Sequence, residues 1–324
     1  MQNFTNFGNA VLQTDMASVW ATQPGSTSSV QAPFWPVNYF VPAAVPPGVT
    51  KNVNGRSPYF EVLNLNDWDL GVSGTLLFDD NWYNSSTGQT VAGTSMLLTS
   101  SKRGDGYVLL QSNLGQYQVN DQGEVARFNM SAGAGYGNVN CSVAACDEPR
   151  TPAYWNPSGS GGFLVIWPWN ESPASFQWTQ PQAGGQFTFA PVSTANNPFG
   201  SNTTGYAGGA LALTVNPSES PAAAVVWAVA APYPNAAPGC HSAGLGCLGY
   251  LLAYKLDNAG ALSRNPIWPA NLSAVPDFAP SPYAIPTAAN GFVYVPAYAL
   301  CSQFNGNGVC TGTYNNSGVQ VYGF

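Results

Sequence analysis

The sequence predicts an all-β chain built from repeated four-stranded antiparallel units. Three observations carry this: helix signals are nearly absent, short β-prone runs alternate with turn residues, and the chain repeats itself internally. The 35 glycines and 27 prolines punctuate the chain every few residues, and no long stretch keeps the apolar period of a helix. Strand signals are frequent instead. They are "TSMLLTSS", "GYVLLQSN", "GFLVIWPW", "QFTFAPVS", "GALALTV", "AAVVWAVAA", "GYLLAYKL", "GFVYVPAYAL" and "VQVYGF". Each run is short, rich in aromatic and β-branched residues, and bounded by Gly, Pro, Asn or Ser.

Two internal repeats suggest how these strands are arranged. "YQVNDQGEVAR" from Tyr117 aligns without a gap on "YKLDNAGALSR" from Tyr254, matching Asn120 with Asp257, Gly123 with Gly260, Val125 with Leu262 and Arg127 with Arg264. "TPAYWNPSGSGGFLVIWP" (151–168) matches "SPYAIPTAANGFVYVP" (281–296): a small residue and a proline, an apolar strand, a turn, then Gly-Phe and a second strand. The copies lie 137 and 130 residues apart, so one structural unit is being reused. Blades of four strands, each stacking on its neighbours to bury both faces, produce this pattern. The expected architecture is a single β-propeller domain over residues 1–324. Residues 1–75 hold an irregular first one or two blades, and residues 94–324 hold about four. "KRGDG" (102–106) is the bend between two of the strands, with Gly104, Asp105 and Gly106 supplying turn geometry. The Arg103-Gly104-Asp105 tripeptide, also found in adhesion ligands, is accounted for by that bend.

With 324 residues, 45% of them hydrophobic and 13% aromatic, the chain can bury a large core. Only 7% are charged, where about a quarter is usual. Asn, Gln, Ser, Thr, Gly and Pro fill the deficit, and such a polar, weakly charged surface suits an extracellular protein. The net charge is -7, with only eight Lys and Arg. Nucleic-acid binding and docking on anionic membranes both need clustered cations, so neither is expected. No apolar run approaches the roughly 20 residues that span a bilayer, so no membrane insertion is expected. "MQNFTNFGNAVLQ" lacks the basic and apolar regions of a signal peptide, so a secreted protein would have its leader missing here, and the chain reads either as the C-terminal part of a larger propeller or as a propeller with few, embellished blades.

The six cysteines fall in three close pairs, Cys141 with Cys146, Cys240 with Cys247, and Cys301 with Cys310. Each brackets a loop that contains Gly, Ser or Asn. Three local disulfides formed in an oxidising compartment are the simplest reading. Zinc is the rival, but there is no C-x-x-C knuckle and His241 is the sole histidine. N-x-S/T sequons begin at Asn3, Asn84, Asn129, Asn140, Asn170, Asn202, Asn271 and Asn315 and make the chain a glycoprotein if its source is eukaryotic. Localisation is expected to be secreted, extracellular or periplasmic.

Several segments resemble bacterial secreted quinoprotein-like β-propellers with pyrroloquinoline-quinone (PQQ)-type repeats. "LAYKLDNAG…LSRNPIW" (252–268) is similar to their repeat, in which an Ala-x-Asp-x-x-x-Gly turn precedes a docking tryptophan. "APSPYAIPTAANGFVYVPAYAL…GVQVYGF" (279–324), "NDWDLGVSGTLLF" (66–78) and "SSKRGDGYVLL" (100–110) are similar to further segments of that group. The resemblance covers residues 55–324. The chain departs from it at Trp268, which stands farther from Gly260 than in the repeat, and at Phe128, which replaces the tryptophan in the other copy. The resemblance implies a quinone site with a calcium ion held by carboxylate and amide, an Asp base, an Arg near the quinone and often a disulfide of adjacent cysteines. No adjacent cysteines occur here.

Acids cluster at Asp67 and Asp69, at Asp79 and Asp80, and at Asp147 and Glu148 beside Arg150. Asp67 and Asp69 are the candidate calcium ligands, with a backbone-capping turn as the simpler reading. Asp79 and Asp80 read as a solvated loop, and Asp147 and Glu148 as a surface ion pair with Arg150. Nucleophilic catalysis needs a base, and His241 sits inside a cysteine-bracketed loop. A glycosidase needs two carboxylates across a cleft, and no motif selects a pair. Trp82 and Tyr83 in "DDNWYNSS" and Tyr154, Trp155, Trp167 and Trp169 in "AYWNPSGSGGFLVIWPWN" are the candidate ligand-binding aromatics, since rings near Asn and Asp stack on and hydrogen-bond sugars. Packing between blades is the competing reading. The expected function is a non-catalytic extracellular binding or structural module with a glycan or protein partner and no required cofactor. A calcium- and PQQ-dependent dehydrogenase comes second, and a glycoside hydrolase or lyase third. Low charge and abundant Asn, Gln and Thr also suit self-assembly.

Overall fold

The computed structural model describes residues 11–13, 38–42, 70, 74–84, 87–117, 124–130, 151–159, 161–168, 171–179, 188–198, 210–216, 223–230, 250–269, 279–280, 285–298 and 318–323. Among the described residues every regular element is a strand. The nine apolar runs read from the sequence all contain strand.

β1 (Val11–Gln13) and β2 (Asn38–Val41) pair antiparallel. β3 (Leu76–Asn84), β4 (Gln89–Ser100) and β5 (Asp105–Leu110) follow as a meander. β6 (Gln116–Tyr117) joins β2 in parallel, and β7 (Ala126–Asn129) returns to β5 and closes the first four-stranded sheet, β3-β4-β5-β7. β8 (Ala153–Trp155), β9 (Phe163–Ile166), β10 (Ala174–Thr179) and β11 (Thr188–Thr194) form the second. β12 (Ala210–Val215), β13 (Ala224–Ala230) and β14 (Tyr250–Leu256) form the third, with Leu262 and Trp268 bridging to the far side of β14 in place of a fourth strand. β15 (Ala279–Pro280), β16 (Thr287–Ala289), β17 (Phe292–Tyr298) and β18 (Gly318–Gly323) form the last. The first sheet therefore begins at Leu76, upstream of the residue 94 at which the sequence reading started its regular blades.

These sheets stack in chain order, and strand alternation is the cause. Successive side chains on a strand point to opposite faces. On β9, Phe163 and Val165 enter the core shared with the third sheet, while Leu164 and Ile166 enter the core shared with the first. On β13, Val226 and Ala228 face the second sheet, while Trp227 and Val229 face the fourth. Strands buried on both faces read as continuous apolar runs, and "FLVI" and "AVVWAVA" are such runs. The leading strands β3, β8, β12 and β16 touch in that order. On the outer face of the first sheet, Phe40 of β2 packs on Tyr107 with ring centres 5.2 Å apart.

The two repeats behave differently. Within 151–168 and 281–296 the described residues form antiparallel hairpins, β8–β9 and β16–β17. The second hairpin turns on Asn290-Gly291, with φ of 52° and 77°, the positive pair that a tight two-residue loop requires. The copies at Tyr117 and Tyr254 diverge. Tyr254 lies on the strand that Leu262 folds back against, whereas Tyr117 belongs to β6, which pairs with β2. In the later copy Asp257 Oδ1 accepts from the N–H groups of Ala259 and Ala261, at 3.0 and 2.8 Å, and so fixes the turn. That turn seats on the second sheet, because Ser175 donates to the Gly260 carbonyl at 2.6 Å and Leu262 N–H donates to Ser193 Oγ at 2.8 Å. The "KRGDG" bend also forms where expected, but only Gly104 within it has positive φ; Asp105 and Gly106 already belong to β5.

Gly260 sits at φ +80°, and a Cβ there would lie 2.2 Å from the ring of Phe163, which is itself buried between the second and third sheets. Gly260→Ala is expected to lower the unfolding free energy by about 2 kcal/mol or more, since strain and clash add. A urea melt reads this as a lower midpoint at unchanged slope.

Candidate functional site

At one end of the seam between the third and fourth sheets a cleft of about 830 Å³ opens. Its walls come from the last residues of β12, the first of β13, Lys255 on β14, Ile267, and the β16–β17 hairpin tip. Deeper in the seam, Trp227 meets Trp268 edge-on at 6.3 Å, and Trp268 meets Tyr322 at 5.6 Å. These rings, with Val293 and Val295, hold the sheets together there. The Trp227 indole N–H donates to Thr214 Oγ1 at 3.0 Å, which fixes the ring edge and places the threonine in the wall. Ile267 and Phe292 are 50% and 43% exposed and form an apolar lip. Asn216 and Asn290 bring amides, and Lys255 is the sole charged side chain among the described lining residues. The cleft thus combines apolar surface, amides, a hydroxyl and a cation, the usual makings of a small-molecule or sugar site.

A second polar constellation is structural. Asp80 is buried and accepts four hydrogen bonds: from its neighbour Asn81 N–H at 2.6 Å, from Gly161 N–H at 3.2 Å, from Gly162 N–H at 3.0 Å, and from the Tyr154 hydroxyl. It therefore pins β3 of the first sheet to the β8–β9 turn of the second. Burial first, and then the adjacent Asp80 carboxylate, push the Tyr154 phenol well above its ordinary value, so it stays a donor. Burial likewise raises Tyr254, whose hydroxyl donates to the Asn196 carbonyl at 3.1 Å. Gly162 admits no side chain, since a Cβ would fall 2.3 Å from the Tyr154 hydroxyl.

Asp79 and Asp80 are thus a strand rather than a solvated loop. Register alternation turns Asp79 outward to accept from Ser95 Oγ at 2.6 Å, and sends Asp80 inward. The Arg103-Gly104-Asp105 tripeptide does not protrude either. Arg103 and Asp105 are 1% and 0% exposed and pair at 3.3 Å. Burial with an internal partner, joined by Ser101 at 3.4 Å, removes both side chains from the surface a receptor reads.

Of the candidate aromatics, Trp155 and Trp167 are buried in the core between the second and third sheets, and Trp167 donates to the Glu171 carbonyl at 2.9 Å. Tyr154, Trp82 and Tyr83 are half-buried against the core between the first and second. Trp155 and Trp167 therefore take the packing role, while Tyr154, Trp82 and Tyr83 pack on that core with part of each side chain still exposed. Trp169 lies outside the described residues. So do Asp67 and Asp69, all six cysteines (Cys141, Cys146, Cys240, Cys247, Cys301 and Cys310), His241, Asp147, Glu148 and Arg150. Among the sequons, Asn84 ends β3 at a hairpin tip and Asn129 ends β7, while Asn3, Asn140, Asn170, Asn202, Asn271 and Asn315 lie outside the described residues. Among the described residues no three His, Cys, Asp or Glu side chains gather as a metal site would require.

Phe292, Ile267 and Trp227 were not singled out by clustering aromatics with Asn or Asp. The available signal was "AANGF", where a two-residue hairpin turn sets an aromatic at the start of the returning strand. Comparison with protein-family models, with curated proteins and with solved structures finds no match to this chain.

Asp80→Asn sets an amide N–H₂ against N–H donors and is expected to cost about 2 kcal/mol in a denaturant melt. The alkaline limb of stability tests the tyrosines. A phenol raised in the folded state contributes stability that is complete below the unfolded value, near 10, and is lost as pH rises through the folded value. Stability is therefore expected to fall above about pH 10. Tyr154→Phe flattens that fall, as does Tyr254→Phe; an unchanged slope in both variants contradicts the assignment.

Proposed function

We propose that the chain is a non-catalytic binding module of secreted or periplasmic type, and that the cleft between the third and fourth sheets takes a carbohydrate. The observation that carries this is the convergence of the Phe292 and Ile267 lip with the amides of Asn216 and Asn290 and the hydroxyl of Thr214. Sugars present apolar C–H faces and a fringe of hydroxyls, and a ring beside short amides satisfies both. The weakly charged composition and close cysteine pairs support an oxidising, extracellular setting.

The proposed architecture is a β-propeller of quinoprotein-like type. Sequential stacking of the sheets and the contact of β3, β8, β12 and β16 along one line support it, because a propeller sets the first strand of each blade around its axis. In this reading the blades are a scaffold and the splayed end of one seam is the site.

A glycan array followed by calorimetric titration tests the site. Phe292→Ala removes the ring, and Asn290→Gly removes the amide while keeping the positive φ. Each is expected to weaken the best saccharide about tenfold, or roughly 1.4 kcal/mol, with an unchanged circular dichroism spectrum. No saccharide bound by the wild-type protein, or affinity indifferent to both changes, overturns the reading. Saturable, calcium-dependent binding of PQQ in the same calorimeter replaces it with the dehydrogenase alternative.

A further inference from the structure

The last sheet differs from the others at its edge. β15 and β16 lie on the same side of β17, and β18 lies on the other. The sheet is therefore three strands wide, while the first two are four wide and the third reaches four through Leu262 and Trp268. Among the described residues no strand occupies the place next to β18. Among the described residues β18 bonds only to β17, so every second residue turns an N–H and a C=O outward with no strand to meet.

Natural edge strands are guarded by charge, proline or a bulge. β18 has none of these: "GVQVYG" is uncharged and pairs with β17 over six consecutive residues without a register shift. Its outward face is apolar as well. Val319 and Val321 are 58% and 53% exposed. They stand opposite Pro296 and Tyr294, and Tyr294 adjoins Phe292, ring centres 6.3 Å apart. No residue of 285–298 or 318–323 carries a charge.

An open ladder takes an extended strand as its partner, and a second β18 is a strand that meets this edge without charge and with valine against valine. We infer that β18 pairs antiparallel with β18 of a second copy, about a two-fold axis at Gln320. Pairing must keep the two sheet faces in register, since a shift by one residue exchanges them. Centring on Gln320 keeps them and sets Val319 of each strand against Val321 of the other. Both valines of each copy thereby gain a β-branched cross-strand partner. Two uncharged edges meet without repulsion, and the β17–β18 ladder continues across the axis as one joined sheet. The interface is isologous, so association closes at the dimer. This pairing is independent of the carbohydrate site.

Sedimentation equilibrium on the full chain tests it. A concentration-dependent monomer–dimer equilibrium is expected. Val321→Lys places like charges on the paired edges and weakens association about tenfold or more. Val91→Lys, at an exposed valine on the first sheet, leaves association unchanged. The valines at 319 and 321 are surface residues, so their lysine variants keep the wild-type near-ultraviolet spectrum. For register, Gln320→Cys is expected to oxidise to a disulfide joining the two substituted positions, identified by peptide mass spectrometry, whereas Val319→Cys is not. A monomer at every soluble concentration, a dimer indifferent to Val321→Lys, or a Gln320→Cys protein that fails to cross-link overturns the inference.

Discussion

The structure depends on sheets that bury both faces. A strand with one wet face alternates apolar and polar residues, but β9, β13 and β14 have no wet face along most of their length. Each must supply side chains to two cores at once, Phe163 and Val165 to one side and Leu164 and Ile166 to the other. A sheet of this kind cannot exist alone in water, because either face exposed would cost the transfer free energy of its apolar side chains. Stacking in chain order is the solution that also keeps connections short. The same rule explains the ends of the series. On the first sheet Phe40 covers Tyr107, while the last sheet presents Val319, Val321 and Phe292 to solvent.

Stacking by apolar contact alone leaves sheets free to slide, and polar contacts across the seams remove that freedom. Asp80 accepts from two backbone N–H groups and a phenol of the next sheet. Ser175 and Ser193 hold the Asp257–Leu262 turn of the third sheet against the second. These buried acceptors are satisfied, so they add position without an unmet desolvation cost. Gly162 and Gly260 belong to the same contacts, since any side chain at either would push the partner away. Where such ties end, at the open end of the third seam, the sheets part and the cleft forms.

The β class and most long strands were legible because apolar runs bounded by glycine and proline are a local signal. β3 and β10 were less legible. "LLFDDNWYN" carries two acids, and only its register shows that Asp79 points out and Asp80 in. The Asn290-Gly291 turn was readable in outline. The pairing of Asp80 with Tyr154, 74 residues away, was not, because nothing local distinguishes a carboxylate that caps a neighbouring sheet from one in a solvated loop. The burial of Trp155 and Trp167 was hidden for a related reason. Trp155 stands beside Asn156 and Trp167 three residues before Asn170, but strand direction aims both into a seam. The cleft arises from two sheets diverging, a property of tertiary geometry that no short segment encodes.

Hydrogen exchange followed by mass spectrometry tests the stacked-sheet account most directly. Strands buried on both faces should open only with global unfolding. The account predicts that amides of β9, β13 and β14 exchange slowest and together, with those of the exposed β3–β4 hairpin tip around Gln89–Gly93 fastest. Exchange of β13 as rapid as that of the hairpin tip would show that its faces are not covered and would contradict the stack.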